Sequence, residues 1–235
     1  MATITGKRPK AKRQKVSAKE TSGTPKSDNP PKQLPWYAST FAIASLGGVL
    51  LYLAFLSDWI SLLPTWLDWL VRIPWWLLAW VAIVPWLLLV RLEKLPGPRA
   101  YWQLYLVGFG HWIFLLQWVR LGHWAAHFAW VALALYLACS LPLLVALTRT
   151  ATRQLKLPLI VAAPTIWVGL EVLRGWLFTG FSLALLGHTQ IHSLHLVQIS
   201  DLGGAYLVSF LVILVAAAIA ELIPIQKLFP SDDVS

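Results

Sequence analysis

The chain has 235 residues, of which 58% are hydrophobic and only 12% charged, with a mean hydropathy of +0.66. Soluble domains carry about 25% charged residues, so this composition excludes an ordinary soluble domain and identifies an integral membrane protein. Of the formal net charge of +9, most lies in the first 35 residues, where nine Lys/Arg face only Glu20 and Asp28.

Residues 1–35 are rich in Lys, Ser, Thr and Pro and nearly free of large apolar side chains. Such a segment cannot bury enough surface to fold and is expected to be a disordered basic tail. Beside a membrane span, a cationic tail sits on anionic lipid and fixes orientation, so no nucleic-acid partner is expected. No small-residue cleavage site clearly follows the first apolar run, which predicts an uncleaved anchor rather than a signal peptide. The domain reading is therefore a cytoplasmic tail over 1–35, a transmembrane helical domain over 36–225 and a short polar tail over 226–235.

Six apolar segments follow, over 37–57, 74–91, 100–118, 126–147, 158–178 and 203–224. A helical span needs about 20 apolar residues, and about 17 at the low end. Between the first two, Trp59, Leu62, Leu63, Trp66, Trp69 and Leu70 recur at helical intervals beside Asp58, Asp68 and Arg72. That pattern predicts a helix lying in the interface. Ala44 and Gly48 form a small-xxx-small pair that lets helices approach closely.

With the N-terminus in the cytoplasm, 16 of the 19 Lys/Arg fall on that side, and the outer side keeps Arg72, Arg120 and Arg174. The positive-inside rule then favours both ends inside. The expected fold class is all-α, a polytopic transmembrane helical bundle of about six spans, N-in/C-in. No inverted repeat is visible, and segments one, two and four carry almost no polar residue at mid-depth. Both points argue against a small transporter.

The residues that could carry function cluster late in the chain. Trp167, Glu171 and Arg174 fall at i, i+4 and i+7, on one face of the fifth segment. Glu171 and Arg174 can pair at i, i+3. Ionisable groups inside a membrane helix are costly, so this is a functional-site hypothesis by default. The structural alternative is a pair at the outer interface, with Arg174 snorkelling to headgroups.

Thr179-Gly180-Phe181 then breaks the helix. The stretch after it is apolar but interrupted by Gly187, His188, Gln190, His192 and Gln198. It reads as a re-entrant or interface-hugging loop whose backbone is buried in protein or wet; a plain outer loop is the alternative. His123/His127 and His188/His192/His195 have helical spacing, but there is no His-Glu-x-x-His pattern, and no metal site or cofactor is expected. Cys139 has no base within a helical turn and reads as a buried small residue. As the only Cys, it excludes an intramolecular disulfide. Asp201 is placed to cap the sixth helix.

Residues 160–221 resemble the membrane half of the apolipoprotein N-acyltransferase family. The shared elements are Ala163-Pro164, Trp167, Glu171, Arg174-Gly175, Thr179-Gly180-Phe181, Gly187, Gln190 and Ser209-Phe210-Leu211. Upstream, AWVAIVPWLLLVR and GFGHWIFLLQWV are similar to the family's second and third helices, and the likeness covers roughly 40–222. There are departures. Ser182-Leu183 stand where the family usually has Pro-Trp, His188-Thr189 where it often has Tyr-Ser, and Leu56-Ser57 replace an expected Pro. Losing that Pro removes a fixed φ and restores an N–H that must be satisfied.

The resemblance implies a bacterial inner-membrane enzyme of lipoprotein maturation. It moves a phospholipid acyl chain onto a Cys thioester and then to the α-amino group of a diacylglyceryl-cysteine lipoprotein. The implied partners are the bilayer, phospholipid and diacylated lipoprotein. The catalytic Glu, Lys and Cys belong to a nitrilase-like domain, so none of these 235 residues is expected to be catalytic. The chain is expected to be a truncated or split form, inactive alone, with a separate nitrilase-like subunit as one source of the chemistry. Trp167, Glu171, Arg174, Thr179 and Gln190 are the candidates for lining a lipid cavity or docking that domain. A non-catalytic membrane scaffold is the competing reading.

Overall fold

Apart from Ala2, the computed structural model describes residues 39–60, 74–96, 99–178 and 180–225. The basic tail, the expected interface helix from residue 61 to 72, Thr179 and the last ten residues lie outside this set. Among the described residues there are helices and turns and no strand.

Six helical rods carry the architecture: α1 (Thr40–Ile60), α2 (Trp75–Arg91), α3 (Ala100–Leu115), α4 (Ala126–Arg153), α5 (Leu159–Trp176) and α6 (Ser200–Leu222). Three of them, α4, α5 and α6, are long and apolar enough to cross a membrane; Thr40–Phe55 of α1 and α2 are shorter apolar helices.

Three rods are broken: α6 at Gly203 and Gly204, which leave helical geometry, and α2 and α4 each beside a proline. Proline has no N–H, and its ring displaces the carbonyl four residues back. In α2, Pro85 follows a break at Ile83, which separates Ala79–Ala82 from Val84–Arg91. In α4, Pro142 follows a break at Cys139, between Ala126–Ala138 and Ser140–Arg153. The Ala138 carbonyl, which Pro142 cannot satisfy, lies against Gly108 of α3; a Cβ there would sit 2.8 Å from it. Cys139 itself is exposed at this break, not buried as expected, because it shares the outward face of the rod with Val131, Leu135 and Leu143.

The core joins all six rods, with Ile83, Leu87, Leu104, Leu144 and Ile213 completely buried. α1 packs as its small residues predict. Ala44 is fully buried and its carbonyl accepts from Trp86 Nε1 at 2.9 Å. A Cβ on Gly48 would meet Val107 of α3 at 3.3 Å. α5 and α6 form the most extensive helix pair.

Arginines fasten one end of the bundle. Arg91 Nη1 donates to the carbonyls of Ala220 and Ile223, at the end of α6. Arg149 donates to the carbonyls of Leu89, Val90, Leu92 and Glu93 at 2.7–3.3 Å. Arg153 donates to Leu92 and Glu93. The last carbonyls of a helix lack intrahelical donors, and the guanidinium groups supply them. Thr40 Oγ1 donates to the Pro96 carbonyl at 2.5 Å, so α1 begins at this same end.

Candidate functional site

The opposite end of the bundle is organised around the segment after α5. α5 stops at Trp176, and the chain turns back on it. The Gly180 N–H donates to the Leu177 carbonyl at 2.9 Å and the Phe181 N–H to the Arg174 carbonyl at 3.0 Å, which satisfies carbonyls that a helix end leaves open. Gly180 has φ +76°, and a Cβ there would meet the Gly175 carbonyl at 2.6 Å. Phe178 and Ala184 also adopt left-handed φ values, 56° and 52°. For non-glycine residues this costs roughly 1–2 kcal/mol each, so the surrounding contacts must hold the loop in place.

Those contacts are two consecutive backbone amides. Glu171 Oε1 accepts from the Leu186 N–H at 2.8 Å, and Ser209 Oγ of α6 accepts from the Gly187 N–H at 2.8 Å. Gly187 lies so close to α6 that a Cβ would run into the Ala205 carbonyl. Glu171 and Ser209 thus clamp the segment between α5 and α6. The predicted loop that buries its backbone in protein is what forms: Leu185, Leu186, Gly187, Thr189 and Gln190 are all buried.

Gln190 finishes the anchor. It is completely buried, and its carboxamide is fully used. Oε1 accepts from Trp80 Nε1 at 3.0 Å, while Nε2 donates to the Trp76 carbonyl at 3.1 Å and to Thr189 Oγ1 at 2.9 Å. Thr189 in turn donates to the Leu186 carbonyl at 2.7 Å. Gln190 therefore ties the loop to the start of α2. It does not line the cavity described next.

Glu171 and Arg174 are both buried, 4% and 9% exposed. They do not meet as the i, i+3 pair that their spacing allows. Glu171 turns to the Leu186 amide. Arg174 Nη2 donates to the Ala184 carbonyl at 3.3 Å, and its Cζ lies 5.1 Å from the Trp112 ring centroid and 5.8 Å from that of Phe181. Trp167 stacks on Trp86 with centroids 6.2 Å apart. Three polar atoms on this face are buried without a hydrogen-bond partner: Trp167 Nε1, Glu171 Oε2 and Arg174 Nε. Trp167 and Ser209 interact with the Glu171 carboxylate, but neither completes a hydrogen bond to Oε2.

Trp167, Glu171 and Arg174 all line one cavity of about 110 Å³, as their shared helix face predicts. Its other walls come from α1, α2, α3 and α4, at the break beside Gly108, Cys139 and Ser140. His111, Trp112 and Tyr136 reach the same cavity, and sequence reasoning passed over them. His111 Nδ1 lies 3.4 Å from the Gly48 carbonyl. A signal for it existed: His111 is an ionisable residue in an apolar helix, the same criterion that selected Glu171 and Arg174. Among the described residues, no group of three or more His, Cys, Asp or Glu could hold a metal ion.

A mostly apolar cavity with a few convergent polar groups is the usual form of a small-molecule site. The polar atoms left open here would suit a group that both donates and accepts. At about 110 Å³ it is of the same order as the roughly 150 Å³ apolar cavity that admits benzene, so it can take part of an apolar chain but not a whole lipid.

Residues 47–218 match the family described as apolipoprotein N-acyltransferase N-terminal domain. The chain is 34% identical over 136 residues to the apolipoprotein N-acyltransferase of Rhodopirellula baltica, covering 53% of this chain and 24% of that protein. It is 32% identical over 185 residues to that of Geobacter metallireducens, covering 78% and 33%. It is 34% identical over 142 residues to that of Chromobacterium violaceum, covering 57% and 28%. The chain thus spans about a quarter to a third of the length of these relatives. With the matched region running from α1 into α6 and enclosing the Glu171 clamp, the chain belongs to the apolipoprotein N-acyltransferase N-terminal domain family.

Proposed function

We propose that these residues form the membrane portion of an apolipoprotein N-acyltransferase. The six rods cross the bacterial inner membrane with the arginine-fastened end in the cytoplasm. The cavity at Trp167, Glu171 and Arg174 receives part of an acyl chain, from a phospholipid or from a diacylated lipoprotein, near the outer face. Glu171 and Gln190 hold the loop that closes this site. Acyl transfer itself is the work of a nitrilase-like Glu, Lys and Cys outside these 235 residues.

The observation that carries the reading is the apolar cavity bordered by a buried carboxylate and a buried guanidinium, each with an atom left open. Trp176, Phe178 and Leu202 are 83–85% exposed around the same loop. They support a surface on which a catalytic domain settles; Thr179, the other candidate for docking that domain, lies outside the described residues.

The test has two arms. A phospholipid with a photoreactive acyl chain, added to the purified chain in detergent, is expected to label cavity residues of α4 and α5, and to do so less in Leu170→Trp, which fills the cavity. Acyl transfer to a diacylated lipopeptide is expected only when a nitrilase-like domain is supplied. Robust turnover by the 235 residues alone would sink the division of labour. Labelling indifferent to Leu170→Trp would sink the cavity's role.

A further inference from the structure

A second site stands at the arginine-fastened end, well away from the cavity. Glu171 lies 12 residues beyond Leu159 on α5, which is roughly 18 Å at 1.5 Å per residue. A groove of about 250 Å³ is lined there by Arg91, Thr152, Arg153, Val90, Leu157 and Leu159.

Among the described residues, no carboxylate lines this groove. Arg91 and Arg153 hydrogen-bond to backbone carbonyls. Carbonyls are dipoles, so they orient a guanidinium without neutralising it. Among the described residues, neither arginine makes an ion pair with a carboxylate, and Lys94, Arg99, Arg149 and Lys156 leave this end net positive against Glu93 and Glu221. Among the described residues, the bonds of Arg91 leave from Nη1. Among the described residues its Nε and Nη2, and Nε of Arg153, donate to no protein acceptor. The two arginines are thus held in place with donor edges to spare, the arrangement that recognises a phosphate.

The remaining walls are apolar. Leu157 is 42% exposed, and its neighbour Leu155 is 67% exposed, so apolar surface continues outward from the cationic floor. A free phosphate has no use for such a wall, whereas a phosphate carrying acyl chains does.

We propose that this groove binds the phosphodiester of an anionic membrane phospholipid, with its acyl chains leaving over Leu157 and Leu155. The bound lipid neutralises Arg91 and Arg153 and joins the ends of α2 and α4 to the start of α5. It is a structural lipid, separate from any acyl donor at the opposite end.

The experiment counts lipids bound to the purified chain by native mass spectrometry during titration with dioleoyl phosphatidylglycerol. Arg91→Gln with Arg153→Gln is expected to weaken one binding event roughly thirtyfold, at about 1 kcal/mol for each cation. Since those substitutions also alter helix caps, Leu157→Glu serves beside them. It leaves every cap in place, sets a carboxylate in the groove and is expected to weaken the same event comparably without lowering Tm. Inorganic phosphate is expected not to displace the lipid. Unchanged retention in folded Leu157→Glu would overturn the proposal, and so would displacement by inorganic phosphate, which would make the groove a free-phosphate site.

Discussion

Where α2, α4 and α6 end, Arg91, Arg149 and Arg153 lie on helix carbonyls, half-buried or exposed. Where α5 ends, Glu171 and Arg174 are buried, and each keeps one polar atom without a partner. Both ends use charge to hold backbone, but in different surroundings. At the arginine end the cations keep partial access to water or headgroups, so the caps cost less desolvation than the buried groups at the cavity end. At the cavity end a buried polar atom without a partner costs about 1–3 kcal/mol. Three such atoms gather around this cavity, whereas the arginine end holds one in Thr148 Oγ1, and sites concentrate such departures from local rules.

The contrast can be broken by substitution, and the largest effect is expected at Gly187. Gly187→Ala drives a Cβ into the Ala205 carbonyl, backbone against backbone, and should cost about 3 kcal/mol. Thermal unfolding in detergent reads this directly, and a Tm equal to wild type would mean that the loop is not clamped to α6.

Glu171→Ala comes next. It strands the buried Leu186 N–H and should cost about 2 kcal/mol. Glu171→Gln keeps an acceptor at that position and should recover roughly half of the loss. If Gln is no better than Ala, the charge rather than the hydrogen bond is what matters.

Arg149→Gln should cost less, about 1 kcal/mol, although it deletes four hydrogen bonds, because water can replace a donor to a carbonyl at a helix end. A loss larger than that of Glu171→Ala would reverse the comparison. Trp167→Phe should cost no more than Arg149→Gln, about 1 kcal/mol, because it trims the ring stacked on Trp86 and removes an indole N–H that interacts with the Glu171 carboxylate without completing a hydrogen bond. The same variant should still alter labelling by an acyl-chain probe, since the ring lines the cavity. A large drop in Tm without a change in labelling would make Trp167 scaffolding.

Much of the fold was legible in the sequence. The segments expected over 100–118, 126–147, 158–178 and 203–224 appear as helices Ala100–Leu115, Ala126–Arg153, Leu159–Trp176 and Ser200–Leu222. Length and hydropathy locate such rods because backbone groups in an apolar setting must bond within their own segment. The errors were local. Asp201 caps nothing: it lies in the first turn of α6, which begins one residue earlier at Ser200 without a side-chain cap. Gly203 and Gly204 then leave helical geometry two residues further on. The breaks in α2 and α4 could have been read from Pro85 and Pro142.

The chain by itself determined the apolar rods, the placement of Trp167, Glu171 and Arg174 on one helix face, and the break after that helix into a loop rather than a further span. These follow from helical periodicity and from the cost of leaving polar groups unsatisfied. Tertiary structure alone decided the partners. Gln190 meets Trp80 across 110 positions, Arg91 reaches the α6 carbonyls across 129 and 132 positions, and Glu171 chose a backbone amide over Arg174. Periodicity fixes the face on which a residue lies, but what stands opposite that face depends on how the rods pack, and only packing turned an expected ion pair into a clamp and a cavity.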